Sequence, residues 1–370
     1  MFSFGGMHVQ MTFQFRLDPT PEQEQLMNRT LELCRKLYNR AKEQRETAYK
    51  QEGKTITYAM QQKELPAFKK EFPEYKNVHS QVLQDGLQRL DDAYQRFFRG
   101  EAGYPRYKSA DRYISFTYPQ PGAVEKTFAK PGYVYLSKIG VVKMKAHRPF
   151  DPANVTQINV KRYVDSWMVN ISVKVSDAEA AQTAESAVGI DVGLNTFAAL
   201  SDETKVDNPR YLRKAEKRLK RKQQLLSRKQ PASRNRKKAK LKVAKAHRKV
   251  ARQRKDFLHK QSYRIVRDHD LIAVEELKVR NMVRNRRLAK SISDAGWRRF
   301  ITYLCYKAKR QGKRFAQVPA HGTSQTCLCG APVPKTLSIR IHECESCGLI
   351  QDRDIVSAKV ILQRALDIPA

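Results

Sequence analysis

The stretch "AVGIDVGLNTFAAL", Ala187 to Leu200, decides the architecture of the C-terminal half of this chain. Two apolar runs flank the tight connection "VGLN", the pattern of a β-hairpin whose strands are largely buried. Asp191 closes the first run, so its carboxylate lies beside a core. Burial of such a group is costly unless it is paired or binds a cation.

Two further acids stand in the same predicament. Glu275 ends the apolar run of "LIAVEEL" (271–277), a second strand. Asp354 opens the helix predicted for "DIVSAKVILQRAL", in which Ala358, Ile361, Leu362 and Ala365 share one face. Singly, each has an ordinary explanation: Asp191 as a turn residue, Glu275 as a surface acid, Asp354 as a helix N-cap. Together, three element ends converging on one point make a site for hard cations. Two Mg²⁺ ions about 3.5–4 Å apart could there clamp the attacking and leaving oxygens of a phosphodiester. Asp352 and Glu276 are the neighbours that could stand in for the real ligands. The order of hairpin, long insert, acid-tipped strand, helix and acid-bearing last helix fits an α/β, RNase H-like core of the RuvC type.

The insert is itself informative. Tyr211–Lys260 holds twenty-two Lys/Arg against only Glu216 and Asp256, with Leu219, Leu225, Leu226, Leu241, Val243 and Val250 in helical rhythm and "KQPASRN" as a break. This predicts two long basic helices folded as a hairpin, which repels itself without a counter-charge. Lys237, Lys238, Lys240, Lys242 and Lys245 are candidate phosphate contacts. The whole chain agrees: 370 residues, 41% hydrophobic and therefore globular, yet with a formal net charge of +35, the footprint of a polyanion partner. No apolar run approaches 18 residues and no signal peptide or lipidation motif is visible, which favours nucleic acid over a membrane surface. "SDAGWRRFITYLCYKAKRQG" predicts one capped amphipathic helix, with Trp297, Phe300, Ile301, Leu304 and Cys305 inward, and "KRFAQV" a further strand.

Four of the six cysteines bunch in "TCLCGAPVPKTLSIRIHECESCGLIQDRD" (326–354). Cys327, Cys329, Cys344 and Cys347 have the character of a structural Cys₄ zinc site rather than a disulfide framework, implying an intracellular, reducing compartment. His342 or His321 could replace a cysteine ligand. Arg340 could reach a phosphate beside Asp354. Upstream, "HVQMTFQFRL" (8–17) alternates as a strand, and Thr20, Pro21 and Gln23 spell the capped start of a helix with Leu26, Thr30, Leu33, Cys34, Leu37, Tyr38 and Ala41 inward. Gln81–Phe98 predicts another helix, with Phe97 and Phe98 on its inner stripe. From Tyr104 to Val175 short β-like runs dominate, and Ser176–Ser186 reads as a polar linker.

"GIDVGLNTFA", "AVEELKVRNM", "SISDAGW", the double cysteine pair and "DRD" resemble the TnpB family, transposon-encoded RNA-guided DNA endonucleases related to type V CRISPR effectors. "GYPRYKSADRYISFTY" and "LDPTPEQEQLMNRTLELCRKLYNRA" extend the resemblance over nearly the whole chain. It implies that Asp191, Glu275 and Asp354 are the metal-binding catalytic acids, the second Asp of "DRD" being the matching one. It also implies a guide RNA derived from the transposon end, and a double-stranded target DNA cut on both strands in turn beside a short motif. Tyr58, Gln84 and Thr117 match positions that contact the motif duplex. The implied segmentation is a wedge-like β domain (1–18 and 103–178), a helical recognition domain (19–102), a linker (179–186), a RuvC-like core (187–318 and 351–370) with the basic hairpin at 209–262, and a zinc lobe (319–350). The cell would be bacterial or archaeal, with the protein cytoplasmic, on the nucleoid when bound to DNA. The sequence departs from the family pattern at Val356 and Ser357, where Asn and Ala are usual, and at Cys327-x-Cys329, one residue short of the usual spacer. A non-cleaving guided repressor, a transposase acting on element ends and a general RNA-binding protein are the alternatives.

Overall fold

The computed structural model describes residues 9–175, 185–336 and 339–367. The chain divides into two units, Met1–Ser176 and Asp177–Ala370. The division falls at the polar stretch read as a linker; its residues 176–184, like His8 of the first expected strand, lie outside the described residues.

In the N-terminal unit β1 (Val9–Asp18) leads into α1 (Pro21–Glu52), whose capping box is closed. Thr20 Oγ1 accepts from the Gln23 N–H at 3.3 Å and Gln23 Oε1 accepts from the Thr20 N–H at 3.1 Å. Gly53, at φ 64°, ends the helix in the left-handed conformation that favours glycine. Then follow α2 (Tyr58–Glu71), α3 (Ser80–Phe98), β2 (Ser115–Tyr118), α4 (Val124–Thr127), β3 (Tyr133–Leu136), β4 (Gly140–Lys145), β5 (Val155–Arg162) and β6 (Trp167–Val175). The strands form one antiparallel sheet in the order β2-β5-β6-β1-β4-β3, so the first strand lies inside it. Phe13, Phe15 and Leu17, at period two, share a core with Met27, Leu31, Cys34 and Tyr38 of α1 and Leu83, Leu87 and Leu90 of α3. Three expected core residues are outside it: Leu26 is 42% exposed, Phe98 71% exposed, and Phe97 half-buried beside it. The buried stripe of α1 starts one residue later, at Met27, and that of α3 ends at Tyr94.

The C-terminal unit runs β7 (Ala187–Val192), β8 (Thr196–Leu200), β9 (Lys205–Asp207), α5 (Tyr211–Ser227), α6 (Arg234–Asp268), β10 (Leu271–Glu275), α7 (Val279–Met282), α8 (Ala289–Ala295), α9 (Trp297–Arg310), β11 (Arg314–Val318), β12 (Ile341–Glu343), β13 (Ile350–Asp352) and α10 (Arg353–Leu366). Its main sheet is ordered β11-β10-β7-β8-β9, with β7, β10 and β11 parallel and β8 and β9 antiparallel additions. One face carries large side chains: Val188, Ile190, Ile272 and Val274 pack with Leu258, Trp297, Phe300 and Leu304. Truncating Phe300 to Ala would cost about 3–5 kcal/mol. The other face carries small ones, and there Ala273 and Val318 meet Ile361 and Ala365 of α10.

The helix expected over "SDAGWRRFITYLCYKAKRQG" is two helices. Gly296, at φ 75°, caps α8 and turns the chain before α9 begins at Trp297. Asp294 faces the basic hairpin instead: its carboxylate accepts from the Leu212 N–H at 2.9 Å and pairs with Arg254 at 2.9 Å, tying α5 and α6 to α8. The hairpin itself closes on Leu219, Ala246 and Val250, while Leu225 and Leu241, expected inside, are exposed. No helix among the described residues is long and apolar enough to cross a membrane.

Candidate active site

The small-residue face of the sheet explains where the acids meet. Gly189, Ala273 and Ala316 lie side by side across β7, β10 and β11. Over that row α10 comes so close that a Cβ on Gly189 would stand 2.0 Å from the Ala358 carbonyl oxygen. A glycine inside an apolar strand is the sequence signal for such an approach. Side chains two residues apart share a strand face, and residues four apart share a helix face. Two residues beyond Gly189 stands Asp191; two beyond Ala273 stands Glu275; one helical turn before Ala358 stands Asp354. The contact between Gly189 and Ala358 therefore draws the third acid toward the other two, at the C-terminal ends of parallel strands where such sheets place their sites.

Electrostatics reports the convergence. Burial pushes the Asp191 carboxyl well above the ordinary range, and the charges of Glu275 and then Asp354 push it further, against Arg353. Glu275 is also raised, by burial, against a hydrogen bond from Thr323 and the charge of Arg364. The buried Thr323 hydroxyl donates to Glu275 Oε1. Asp354 Oδ1 lies 3.0 Å from Arg353 Nη2, and Arg340 Nη1 is 4.0 Å from its other oxygen. Hard oxygen donors placed so that two of them raise the third fit divalent cations. Neighbouring acids do other work. Asp352, not Asp354, is the N-cap of α10, accepting from the Asp354 and Ile355 N–H groups at 3.0 and 3.3 Å and pairing with Lys205 at 2.6 Å. Ser357, one of the two departures, donates to the Arg353 carbonyl at 2.9 Å and is buried with Val356.

The cysteine lobe is tighter. Among the described residues, Cys327, Cys329, Cys344 and Cys347 are the set of metal-ligating groups whose atoms all lie within 4.8 Å of one another. Cys327 Sγ is 3.6 Å from Cys347 Sγ, and Cys329 Sγ 3.7 Å from Cys344 Sγ. Those lengths far exceed a disulfide and match the edge of a tetrahedron with Zn–S of about 2.3 Å, roughly 3.8 Å. The short first pair is accommodated by its turn. In the second, the Gly348 N–H closes on the Cys344 carbonyl at 2.8 Å; in the first, the Gly330 N–H closes one residue earlier on Cys327, at 3.0 Å. Both glycines have positive φ. Burial opposes ionising Cys344, but the Cys347 N–H and the facing thiols outweigh it and bring the group down to about 6, while Cys327 and Cys347 are pushed up. Neither histidine joins the quartet: His342 is buried with Nδ1 on Lys335 Nζ, and the His321 carbonyl accepts from Arg364 at 2.7 Å.

The remaining candidates divide by location. Lys237, Lys238, Lys240, Lys242 and Lys245 are all exposed on α6, and Arg340 is about half exposed, at 49%, beside the acids. In the N-terminal unit Tyr58 opens α2 and Gln84 lies on α3, both half-buried. Thr117 is buried, its hydroxyl oxygen accepting from Arg89 Nη2 at 2.6 Å and Asn159 Nδ2 at 3.0 Å. The Asp85 carboxyl also hydrogen-bonds this hydroxyl, which takes up its one proton and leaves it with nothing to present to DNA directly. Sequence reasoning missed Gly189, Thr323, Asp294 and Arg353. Gly189 was detectable as a glycine inside an apolar strand; Thr323 sits in a loop and carries no signal.

Residues 170–286 match the OrfB_IS605 profile, described as a probable transposase, and residues 297–361 match a Cas12f1-like TNB domain. A helix-turn-helix profile matches residues 7–54, where the structure has β1 and the unbroken α1. The chain is 34% identical to a candidate RNA-guided DNA endonuclease of Streptomyces pristinaespiralis, over 97% of this chain and 90% of that one. It is 31% identical to another, InsQ of Escherichia coli K12, over 95% and 91%. The protein chain of a Cas12f1–sgRNA–target DNA complex shares the fold, with a TM-score of 0.58 at 13% identity, over 96% of this chain and 98% of that one.

Proposed function

The chain belongs to the TnpB family of RNA-guided DNA endonucleases, and from that premise we propose that it cuts double-stranded DNA beside a short motif at one RuvC-type site made by Asp191, Glu275 and Asp354. The observation that carries this reading is the close packing of α10 on Gly189 of β7, which brings Asp354 toward Asp191 and Glu275, whose charges raise the Asp191 carboxyl. Divalent ions, Mg²⁺ in the cell, would supply Lewis-acid stabilisation of the attacking and leaving oxygens. Asp191 and Glu275, level on neighbouring strands, hold one side of the site, and Asp354 on the first turn of α10 holds the other. Thr323 orients Glu275. Arg340 meets a phosphate at the rim.

The exposed lysines of α6 hold the RNA or RNA–DNA backbone, a task that needs charge and A-form spacing rather than base reading. The guide RNA comes from the transposon end, and one zinc stiffens the cysteine lobe before Asp354. In the N-terminal unit, a recognition and wedge-like region, Tyr58 and Gln84 contact the motif duplex while Thr117 acts from behind by holding Arg89. The setting is the cytoplasm of a bacterial or archaeal cell.

The transposase description of the matched profile supplies a second reading, and one experiment separates them. Protein purified from its native locus should carry a defined RNA ending in variable sequence, and should cut a duplex matching that sequence in Mg²⁺. Cutting confined to element ends without RNA would favour the transposase, and heterogeneous cellular RNA would contradict guided cleavage.

A further inference from the structure

Arg353 is out of place by the ordinary rules of a helix. It occupies the first position of α10, where the positive end of the helix dipole disfavours a cation by about 0.3–1 kcal/mol. Its side chain and that of Asp354 are consecutive, about 100° apart around the axis, and consecutive side chains do not face each other. Here they meet: Nε and Nη2 of Arg353 lie 3.2 and 3.0 Å from Asp354 Oδ1. The third arm goes elsewhere. Nη1 donates to the Ile339 carbonyl at 3.0 Å, and the Arg353 backbone N–H donates to the Arg340 carbonyl at 2.8 Å. Ile339 and Arg340 lead directly into β12, which carries the chain to the second cysteine turn. One guanidinium therefore joins a carboxylate of the acid site to the backbone of the cysteine lobe. The side chain is only 12% exposed, and a guanidinium so far from water persists only where its charge is matched. Asp191 also feels it, as the cation opposing burial and the two other acids.

We infer that Arg353 is a positioning residue: it holds the Asp354 carboxylate at the angle set by the cysteine lobe, and serves as the internal counter-charge that a metal entering among the three acids must displace. The inference rests on the metal-binding reading of Asp191, Glu275 and Asp354. It separates two effects that a purely structural residue would lose together. Without the counter-charge, metal binds more tightly; without the positioning, the chemistry slows.

The test uses the full chain. Mn²⁺ uptake is measured by calorimetry on protein freed of RNA, and single-turnover cutting of a matched duplex on the guide complex. Arg353→Gln should bind Mn²⁺ on the order of tenfold more tightly yet cut roughly ten to a hundred times more slowly at saturating metal. Arg353→Lys keeps the charge but cannot span both anchors; it should bind Mn²⁺ like the wild type and cut slowly. If the Gln variant does not fold, the Lys variant decides: slow cutting at wild-type affinity supports the inference, and wild-type cutting overturns it. Cys344→Ser should slow the wild type but slow Arg353→Gln no further, because the link is already severed. Additive slowing overturns the coupling, and joint loss of Mn²⁺ binding and cutting in a folded variant overturns the counter-charge. A wild type that binds Mn²⁺ no better than Asp354→Ala overturns the metal reading beneath it.

Discussion

Four sulfurs within 4.8 Å of one another come from two turns of a short segment, whereas three carboxylates come from two strands and a helix spread between Asp191 and Asp354. The sulfurs face one another and the N–H groups of their own turns. The acids hold other partners, Thr323 for Glu275 and Arg353 for Asp354. The turns are closed by glycine N–H groups a few residues away, so the cysteine lobe needs no large core. The acid site exists only while α10 lies against β7. A locally closed site is built for rigidity, a distantly assembled one for chemistry.

The sharpest way to break this contrast is Gly189→Ala. Its methyl would collide with the Ala358 carbonyl, 2.0 Å away, forcing α10 outward. Cutting should fall about a hundredfold or more and stability by about 1–3 kcal/mol, while elemental analysis still finds one zinc per chain. Near-normal cutting would mean that the close approach does not align the acids. Cys344→Ser runs the other way and should act more mildly. Zinc is lost, guide binding is kept, and single-turnover cutting falls roughly tenfold, as for outer-shell support of a site; a zinc-free wild type would remove the cysteine half of the comparison.

The smallest effect concerns charge. The Asp191 carboxyl is raised in the folded state, so its contribution to stability is present at low pH and lost as pH rises through that raised value. Metal-free wild type should lose stability over that window, and Asp191→Asn should not, melting about 2–4 °C higher at neutral pH. Mg²⁺ should then raise the melting temperature of the wild type but not of the variant. Parallel melting curves across pH would show that the carboxyl is not under this repulsion.

Much of this was legible in the sequence because it is local. The capping box at Thr20–Gln23, the apolar strands tipped by Asp191 and Glu275, and the basic hairpin all follow from short patterns. What stayed hidden depends on distant partners. "SDAGW" keeps helical rhythm, yet Gly296 takes a left-handed turn and Asp294 serves α5 and α6. Leu225 and Leu241 fit a helical stripe but find no facing helix surface, since the hairpin closes at Leu219, Ala246 and Val250. Thr117 matches a DNA-contacting position, but only the fold shows that its hydroxyl is used up inside. Within "DRD" the two acids look equivalent by pattern; the resemblance picks the second, and the helix start shows that the first is spent as the cap.

That last distinction gives the most direct test of the claim that Asp191, Glu275 and Asp354 form one metal-dependent site. Single-turnover cutting of a guide-matched duplex in saturating Mg²⁺ is measured for Asp354→Ala and Asp352→Ala, with guide and target binding measured in parallel. Asp352→Ala removes the cap of α10 and its pairing with Lys205, which should cost about 1 kcal/mol of stability and leave most of the cutting. Asp354→Ala should lose cutting by orders of magnitude while binding stays near normal. Asp354→Ala that cuts normally, or that loses binding in step with cutting, would contradict the account.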